Sequence, residues 1–241
     1  TVLTPTTWER YPVKHLKDYI NEKYNEECAV NLMGHTMFEH GKYDAKVFFG
    51  KVDEAIKHGY KYIYAYYPDP DATLHGCGNY SKETSNTIKS INDNLEQLVK
   101  NNPDVLFISI ADHGHIDIKL CSLDEHSDLY DTLATPYFCE ARAGMINIKK
   151  GREKEFEKLF DKYYKEHFEL YSKKEIVEKQ IFGYSTNYCH DYDKILGDYL
   201  MVSKDEYTLF FENYDWSGML STHAGGTERE GLINISVYNN L

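Results

Sequence analysis

The chain has 241 residues, with 27 Lys and Arg against 39 Asp and Glu, so its formal charge is −12. At 41% hydrophobic and 15% aromatic residues it carries too much apolar surface for a disordered chain, and it is long enough to bury a sizeable core. The acidic balance excludes a nucleic-acid groove built from clustered Lys and Arg, and no apolar run reaches the roughly 18–20 residues of a membrane span. A small phosphorylated substrate stays compatible with this charge, because bound metal ions reverse the local field.

The opening Thr1-Val2-Leu3-Thr4-Pro5 has no Met and no charged segment leading into an apolar stretch, so no signal peptide is visible. The five Cys (Cys28, Cys77, Cys121, Cys139, Cys189) are scattered and form no CxxC pair. They read as buried free thiols of a reducing compartment rather than a disulfide framework, and a cytoplasmic location is expected. Glycosylation sequons at Asn79 and Asn234 are too short a signal to outweigh the cysteines.

In chain order, Val13, Leu16, Ile20 and Tyr24 recur at helical spacing after Pro12. A short helix is expected over 52–58, ended by Gly59, and the aromatic run 60–67 reads as a strand ended by Pro68. Ser81 caps a helix whose apolar face is Ile88, Ile91, Leu95 and Leu98. The nearly continuous apolar run 105–111 then suits a strand buried on both faces of a parallel sheet. Strand, helix and strand over 60–111 make a βαβ unit. Further expectations are a strand at 143–149, a helix at 151–171, a short helix at 173–181, a hairpin of 199–202 with 207–211, and a last strand at 232–238. The fold class is α/β, a mostly parallel central sheet with helices on both faces.

Acids and histidines follow the strand ends in three stretches: Asp69-Pro70-Asp71 with His75, Asp112-His113-Gly114-His115, and Ser221-Thr222-His223-Ala224-Gly225-Gly226. That edge is where open α/β sheets bind ligands. Asp and His are the oxygen and nitrogen ligands of Zn²⁺ or Mn²⁺ sites without thiolates. Taken singly, Asp71 reads as a turn residue and a loop His as a surface His. The same plain reading applies to His15, His40, His58, His126 and His167, expected to be solvated. His115 faces either the same site or solvent, as a substrate or supporting group.

Together, Tyr66-Tyr67-Pro68-Asp69-Pro70-Asp71 with His75, then Ala111-Asp112-His113-Gly114, then His223, resemble the alkaline phosphatase superfamily, in its type I phosphodiesterase and nucleotide pyrophosphatase branch. Glu140-Ala141-Arg142-Ala143 and Leu196-Gly197-Asp198-Tyr199-Leu200 also look similar. The resemblance covers residues 60–241. It implies an alkaline phosphatase-like fold and two divalent ions, zinc or manganese. Asp71, His75 and His223 would hold the first ion, Asp112 and His113 the second. It further implies phosphoryl transfer through a Thr or Ser nucleophile and a small phosphate ester as substrate. Phosphodiesters or nucleotide pyrophosphates lead; a sulfatase, phosphonate hydrolase or phosphomutase activity, or an inactive metal-binding fragment, is the alternative. An upstream metal-binding Asp and the nucleophile belong to the pattern, but only 70 residues precede Asp71, and the candidates for the nucleophile are weak: Thr36 in Gly34-His35-Thr36-Met37, and Thr4, Thr6 and Thr7 at the extreme terminus. The expectation is therefore that residues 60–241 form the C-terminal part of the catalytic domain, that 1–59 are the end of its front section or part of a cap, and that the chain alone binds metal weakly and turns over little. Its oligomeric state is left open.

Overall fold

The structure is a computed structural model and describes residues 14–34, 44–184, 195–210 and 216–238. The chain divides into two compact units, one of residues 1–72, 85–107 and 238–241, the other of residues 73–84 and 108–237.

In the first unit, α1 (Leu16–Tyr24) leads into β1 (Ala29–Met33), followed by α2 (Ala45–His58) and β2 (Tyr62–Tyr66). Asn21 ties α1 to the start of β1, accepting from the Cys28 and Ala29 N–H groups and donating to the Ala29 carbonyl. Asp44 caps α2 by accepting from the Lys46 and Val47 N–H groups, and Gly59 at φ 96° ends it, a left-handed conformation that costs glycine little. The α2 helix therefore starts well before the expected residue 52. β1 and β2 pair in parallel, Ala29 with Tyr62 through Met33 with Tyr66. Phe48 and Val52 of α2 pack with Leu98 of α4 (Lys82–Asn101) against Leu32, Ile63, Tyr67 and Phe107. Ser81 does cap α4, its hydroxyl accepting from Thr84 N.

The second unit contains a four-stranded antiparallel sheet in the order β6-β7-β9-β8, made of Phe138–Cys139, Ala143–Ile146, Tyr199–Ser203 and Phe168–Ser172. Side chains alternate across a strand, and both faces of this sheet are covered. Ile146, Tyr199 and Met201 pack with Phe156 and Phe160 of α6 (Glu153–Tyr163). Met145 and Leu200 pack with Ile176 of α7 (Lys173–Glu178). The remaining ladders are short: β4 (Ile116–Asp117) with β11 (Ser221–Thr222), antiparallel; β5 (Lys119–Cys121) with β10 (Tyr207–Leu209), parallel; and β3 (Phe107–Ile110) with β12 (Ile235–Tyr238). Short helices α3 (Asp71–Cys77), α5 (Ser127–Tyr130) and α8 (Glu228–Gly231) complete the described elements.

The mixed α/β class stands, with specific corrections. The largest described sheet is antiparallel rather than parallel. In the expected βαβ unit the elements form, but β2 pairs with β1 and β3 with β12. Residues 105–111 are not buried on both faces, since Ile108 and Ile110 are 62% and 60% exposed. The helix expected over 151–171 stops at Tyr163, where the Phe160 carbonyl takes the Tyr164 and Lys165 N–H groups; Phe168, whose spacing matched the helix, opens β8 instead. The expected hairpin does not form, because β9 pairs with β7 and β8 while β10 pairs with β5. Two histidines expected to be solvated are engaged: His126 stacks on Tyr163, and His167 donates to Asp205 from Nδ1 over 2.6 Å and stacks on Tyr207. Cys28, Cys77, Cys121 and Cys139 are free thiols, but of these only Cys28 is buried as expected; Cys77 and Cys121 are half-buried and Cys139 is exposed. Thr36, His35, His40, Cys189 and the end of the 207–211 strand lie outside the described residues. No described helix is long and apolar enough to cross a membrane.

Candidate metal centre

Three stretches of chain bring four imidazoles together in the second unit. Asp71 and His75 occupy the first turn and the end of α3, four residues apart and so on one helix face. Asp71 at the helix start also sits where the macrodipole favours a carboxylate. His113 and His115 precede β4, and their two-residue spacing in extended chain aims both side chains to one side. His223 follows β11 directly.

The β4–β11 ladder explains the convergence. Ser221 pairs with Asp117 and Thr222 with Ile116, so the next position in the same register sets His223 opposite His115. Their ring centroids lie 5.2 Å apart. The His223 ring also stacks 3.8 Å from His113 and lies 5.4 Å from His75, and His75 meets His115 edge-on at 4.7 Å. His113, His115 and His223 each offer a ring nitrogen within 4.8 Å of those of the other two.

The surrounding hydrogen bonds fix which nitrogens face inward. Nδ1 of His75 lies 2.8 Å from the Ser221 carbonyl, and Nδ1 of His113 lies 3.0 Å from the Gly114 carbonyl. A carbonyl only accepts, so in both rings Nδ1 carries the proton and Nε2 keeps a lone pair. This is how metal-ligating histidines are held by their outer partners. The donor set therefore fits a divalent ion. Asp112 accepts from the His113 N–H at 3.1 Å, and its carboxylate lies 3.7 Å from His113 Nε2.

Gly114 is required by close approach. A Cβ there would lie 1.9 Å from the Arg229 carbonyl oxygen, and the Gly114 N–H donates to the Glu230 carbonyl at 2.9 Å. Gly225, two residues after His223, would place a Cβ 2.7 Å from Arg142 Nη2. At both glycines the close approach is to other parts of the chain, α8 and the Arg142 side chain.

Four supporting residues escaped sequence reasoning. Ser221 is wholly buried and bonds both His75 and His115. Asn79, marked only by its sequon, donates from its side-chain amide to the His115 carbonyl at 3.2 Å. Arg142 and Glu230 form a buried ion pair. Ser221 stood in the stretch leading to His223 but with no role, no local signal in the sequence marks Glu230, and Arg142 had a signal only through the Glu140-Ala141-Arg142 resemblance.

Fold and site together define a mixed α/β protein of the alkaline phosphatase type with a candidate metal-binding cluster of histidines at its strand ends. Residues 3–226 match the family model for type I phosphodiesterase / nucleotide pyrophosphatase, and the chain belongs to that family. Its fold is similar to murine ectonucleotide pyrophosphatase / phosphodiesterase 5, at 16% identity and a TM-score of 0.64, and to the human protein of that name, at 17% identity and a TM-score of 0.63. An inactive variant of the murine protein, in complex with AMP, matches at 16% identity and a TM-score of 0.64. These matches cover 92% of this chain but 62–63% of the solved chains. The chain thus spans less than two thirds of the structures it resembles. No curated protein matches it in sequence.

Proposed function

We propose that the chain holds divalent metal at the histidine cluster and serves the hydrolysis of phosphate esters, with phosphodiesters or nucleotide pyrophosphates as the substrate class. The observation that carries this reading is the meeting of His75, His113, His115 and His223 from three separate stretches, with the Nδ1 protons of His75 and His113 committed to carbonyl oxygens. Family membership supports the reaction class. The AMP complex of the murine relative supports a nucleotide as the substrate.

Nε2 of His75 and of His113, His223, and the carboxylates of Asp71 and Asp112 are the groups we assign to metal, Asp71 because the α3 helix carries it together with His75. Imidazole donors suit zinc, and manganese is the second choice; two ions are expected. A divalent ion held there would supply Lewis-acid polarisation of a phosphoryl oxygen and offset negative charge. In a chain of charge −12 it also gives an anionic substrate a local attraction that the whole molecule lacks. The protein's own part is to keep the imidazoles correctly turned and close together before substrate arrives, which removes reorganisation from the reaction. For the nucleophile, Thr36 is the first residue to mutate.

The test is the purified chain with added Zn²⁺ or Mn²⁺, offered chromogenic phosphodiester, phosphomonoester and sulfate ester substrates. The expected result is metal binding that is lost on His113→Ala, with little turnover by this chain alone, and any turnover confined to the diester and abolished by chelator. Turnover indifferent to chelator, or no metal binding, would sink the proposal. Robust diester turnover would show that this chain holds a nucleophile.

A further inference from the structure

The ligand set implied by the family resemblance contains His75, His113 and His223 but not His115. The geometry points to His115 as a direct metal ligand through Nε2, held in that tautomer by Ser221. This inference rests on the metal-dependent reading above and extends its ligand set.

Three observations carry it. First, the β4–β11 register places His115 directly opposite His223, so the pairing that forms the site forces His115 into it. Second, a ring nitrogen of His115 lies within 4.8 Å of ring nitrogens of both His113 and His223.

Third, its tautomer is determined by a relay. The Ser221 hydroxyl donates its single proton to the Leu74 carbonyl at 2.8 Å. At the His115 Nδ1 contact, 2.9 Å away, that hydroxyl can only accept. Nδ1 of His115 therefore carries the proton and Nε2 the lone pair, as in His75 and His113. Ser221 is wholly buried, so water does not compete for its hydroxyl. The same residue takes the His75 Nδ1 proton on its carbonyl oxygen. One serine thus orients two imidazoles, and its own position is fixed by the ladder to Asp117 and by the Leu220 N–H bonded to the His75 carbonyl.

The consequence is a centre with three clustered imidazoles, His113, His115 and His223, a donor set that favours Zn²⁺ over the oxygen-preferring Mg²⁺. Ser221 is a positioning residue and touches no metal.

The experiment is a chelator-competition titration of the purified chain with Zn²⁺, paired with the visible spectrum of the Co²⁺-loaded chain, for wild type, His115→Ala, His115→Gln, Ser221→Ala and Ser221→Thr. Melting of each metal-free variant reports whether it folds. His115→Ala and His115→Gln should weaken Zn²⁺ binding by roughly 10- to 100-fold or more and change the Co²⁺ spectrum, because a nitrogen donor is lost. Ser221→Ala should weaken binding by about ten-fold while keeping the Co²⁺ band pattern, and Ser221→Thr should restore affinity. In case the His115 variants fail to fold, the imidazole ¹⁵N spectrum of the wild-type chain decides: Zn²⁺ should shift the His115 Nε2 resonance and leave its Nδ1 protonated. Wild-type affinity in folded His115 variants, or an unmoved His115 Nε2 signal in a Zn²⁺-loaded wild type, would overturn the ligand assignment alone. A wild type that binds no Zn²⁺ would overturn the metal reading and this inference together.

Discussion

Arg142 and Glu230 face each other in a doubly hydrogen-bonded pair, Nε to Oε1 at 2.6 Å and Nη2 to Oε2 at 2.9 Å, with both side chains buried. The remaining guanidinium protons go to the Thr208 hydroxyl and to the Tyr207 and Asp205 carbonyls, so all five donors are used. Glu230 in turn accepts from the Gly225 N–H and the Thr227 hydroxyl, and its own carbonyl takes the Gly114 N–H. A single residue therefore anchors the turn after His223 and the turn between His113 and His115. The histidine cluster is held from behind by charge-assisted bonds that do not touch it.

Removing one partner of such a pair leaves an uncompensated buried charge. Glu230→Gln is expected to lower the free energy of unfolding by about 3–5 kcal/mol, read from urea or guanidinium transitions. Arg142→Lys should cost a comparable amount, because an ammonium cannot match the five-donor fork. A loss below about 1 kcal/mol in both would show that the pair is far better solvated than its burial indicates.

The same carboxyl sets a pH dependence. Burial opposes ionisation of Glu230, but the hydrogen bonds from Arg142, Thr227 and Gly225 outweigh it and hold the group below the usual glutamate range. The folded state therefore binds its proton less readily than the unfolded chain, where glutamate titrates near about 4.3. The stabilisation is present in full above that unfolded value and is lost as pH falls through the lower folded value. Stability measured from pH 7 down to pH 3 should decline more shallowly in Glu230→Gln than in wild type. Parallel curves would remove Glu230 as a source of acid sensitivity.

What the sequence made legible follows from where its signals are local. The 52–58 stretch and Gly59 marked the C-terminal half of α2, Ser81 marked the start of α4, and the acid and histidine stretches marked the site, because each depends on neighbours within a few residues. The pairing of strands depends on partners far along the chain. β9 is a continuous apolar run and was paired with the wrong strand, since nothing in Tyr199-Leu200-Met201-Val202 names β7 and β8 as its neighbours. Burial on both faces, taken as the mark of a parallel strand, occurs here in the antiparallel β9, because α6 and α7 cover its two sides. Phe168 shows the converse error: its helical spacing is an accident of where β8 begins. In the site, the histidines were legible as chemical types. Ser221 and Glu230 were not, since a serine and a glutamate are ordinary residues until the fold brings His115 and Arg142 against them.

The apolar run of β3 carries a separate expectation. Ile108 and Ile110 on β3, and Ile235 and Val237 on its partner β12, are each 60–62% exposed, whereas Ile146 on β7 is wholly buried. Ile110→Ala should change stability by no more than about 0.5 kcal/mol, and Ile146→Ala should cost about 2–5 kcal/mol, through lost burial and the cavity left behind. Chemical denaturation of the two variants in parallel is the measurement. Equal and large losses would show that the β3 face is covered in solution.

Gly114 links the buried Arg142–Glu230 network to the histidine cluster in front of it. The Cβ of an alanine there would lie 1.9 Å from the Arg229 carbonyl oxygen and 3.3 Å from Glu230 Cα, both backbone atoms of α8 that cannot swing aside as a side chain would. Either the 112–115 segment or α8 must move, and the bond from the Gly114 N–H to the Glu230 carbonyl breaks in both cases. Such overpacking typically costs about 1–3 kcal/mol. Because His113 and His115 flank the glycine, the displacement should also spread their ring nitrogens and weaken metal binding, while Gly151→Ala, at a surface turn with open space around it but φ 86°, should affect stability alone. Unfolding transitions and Zn²⁺ competition on the two variants separate the effects: Gly114→Ala should lose both stability and metal affinity, and a Gly114→Ala chain with wild-type Zn²⁺ affinity would show that the histidines hold their places without the close fit of that turn against α8.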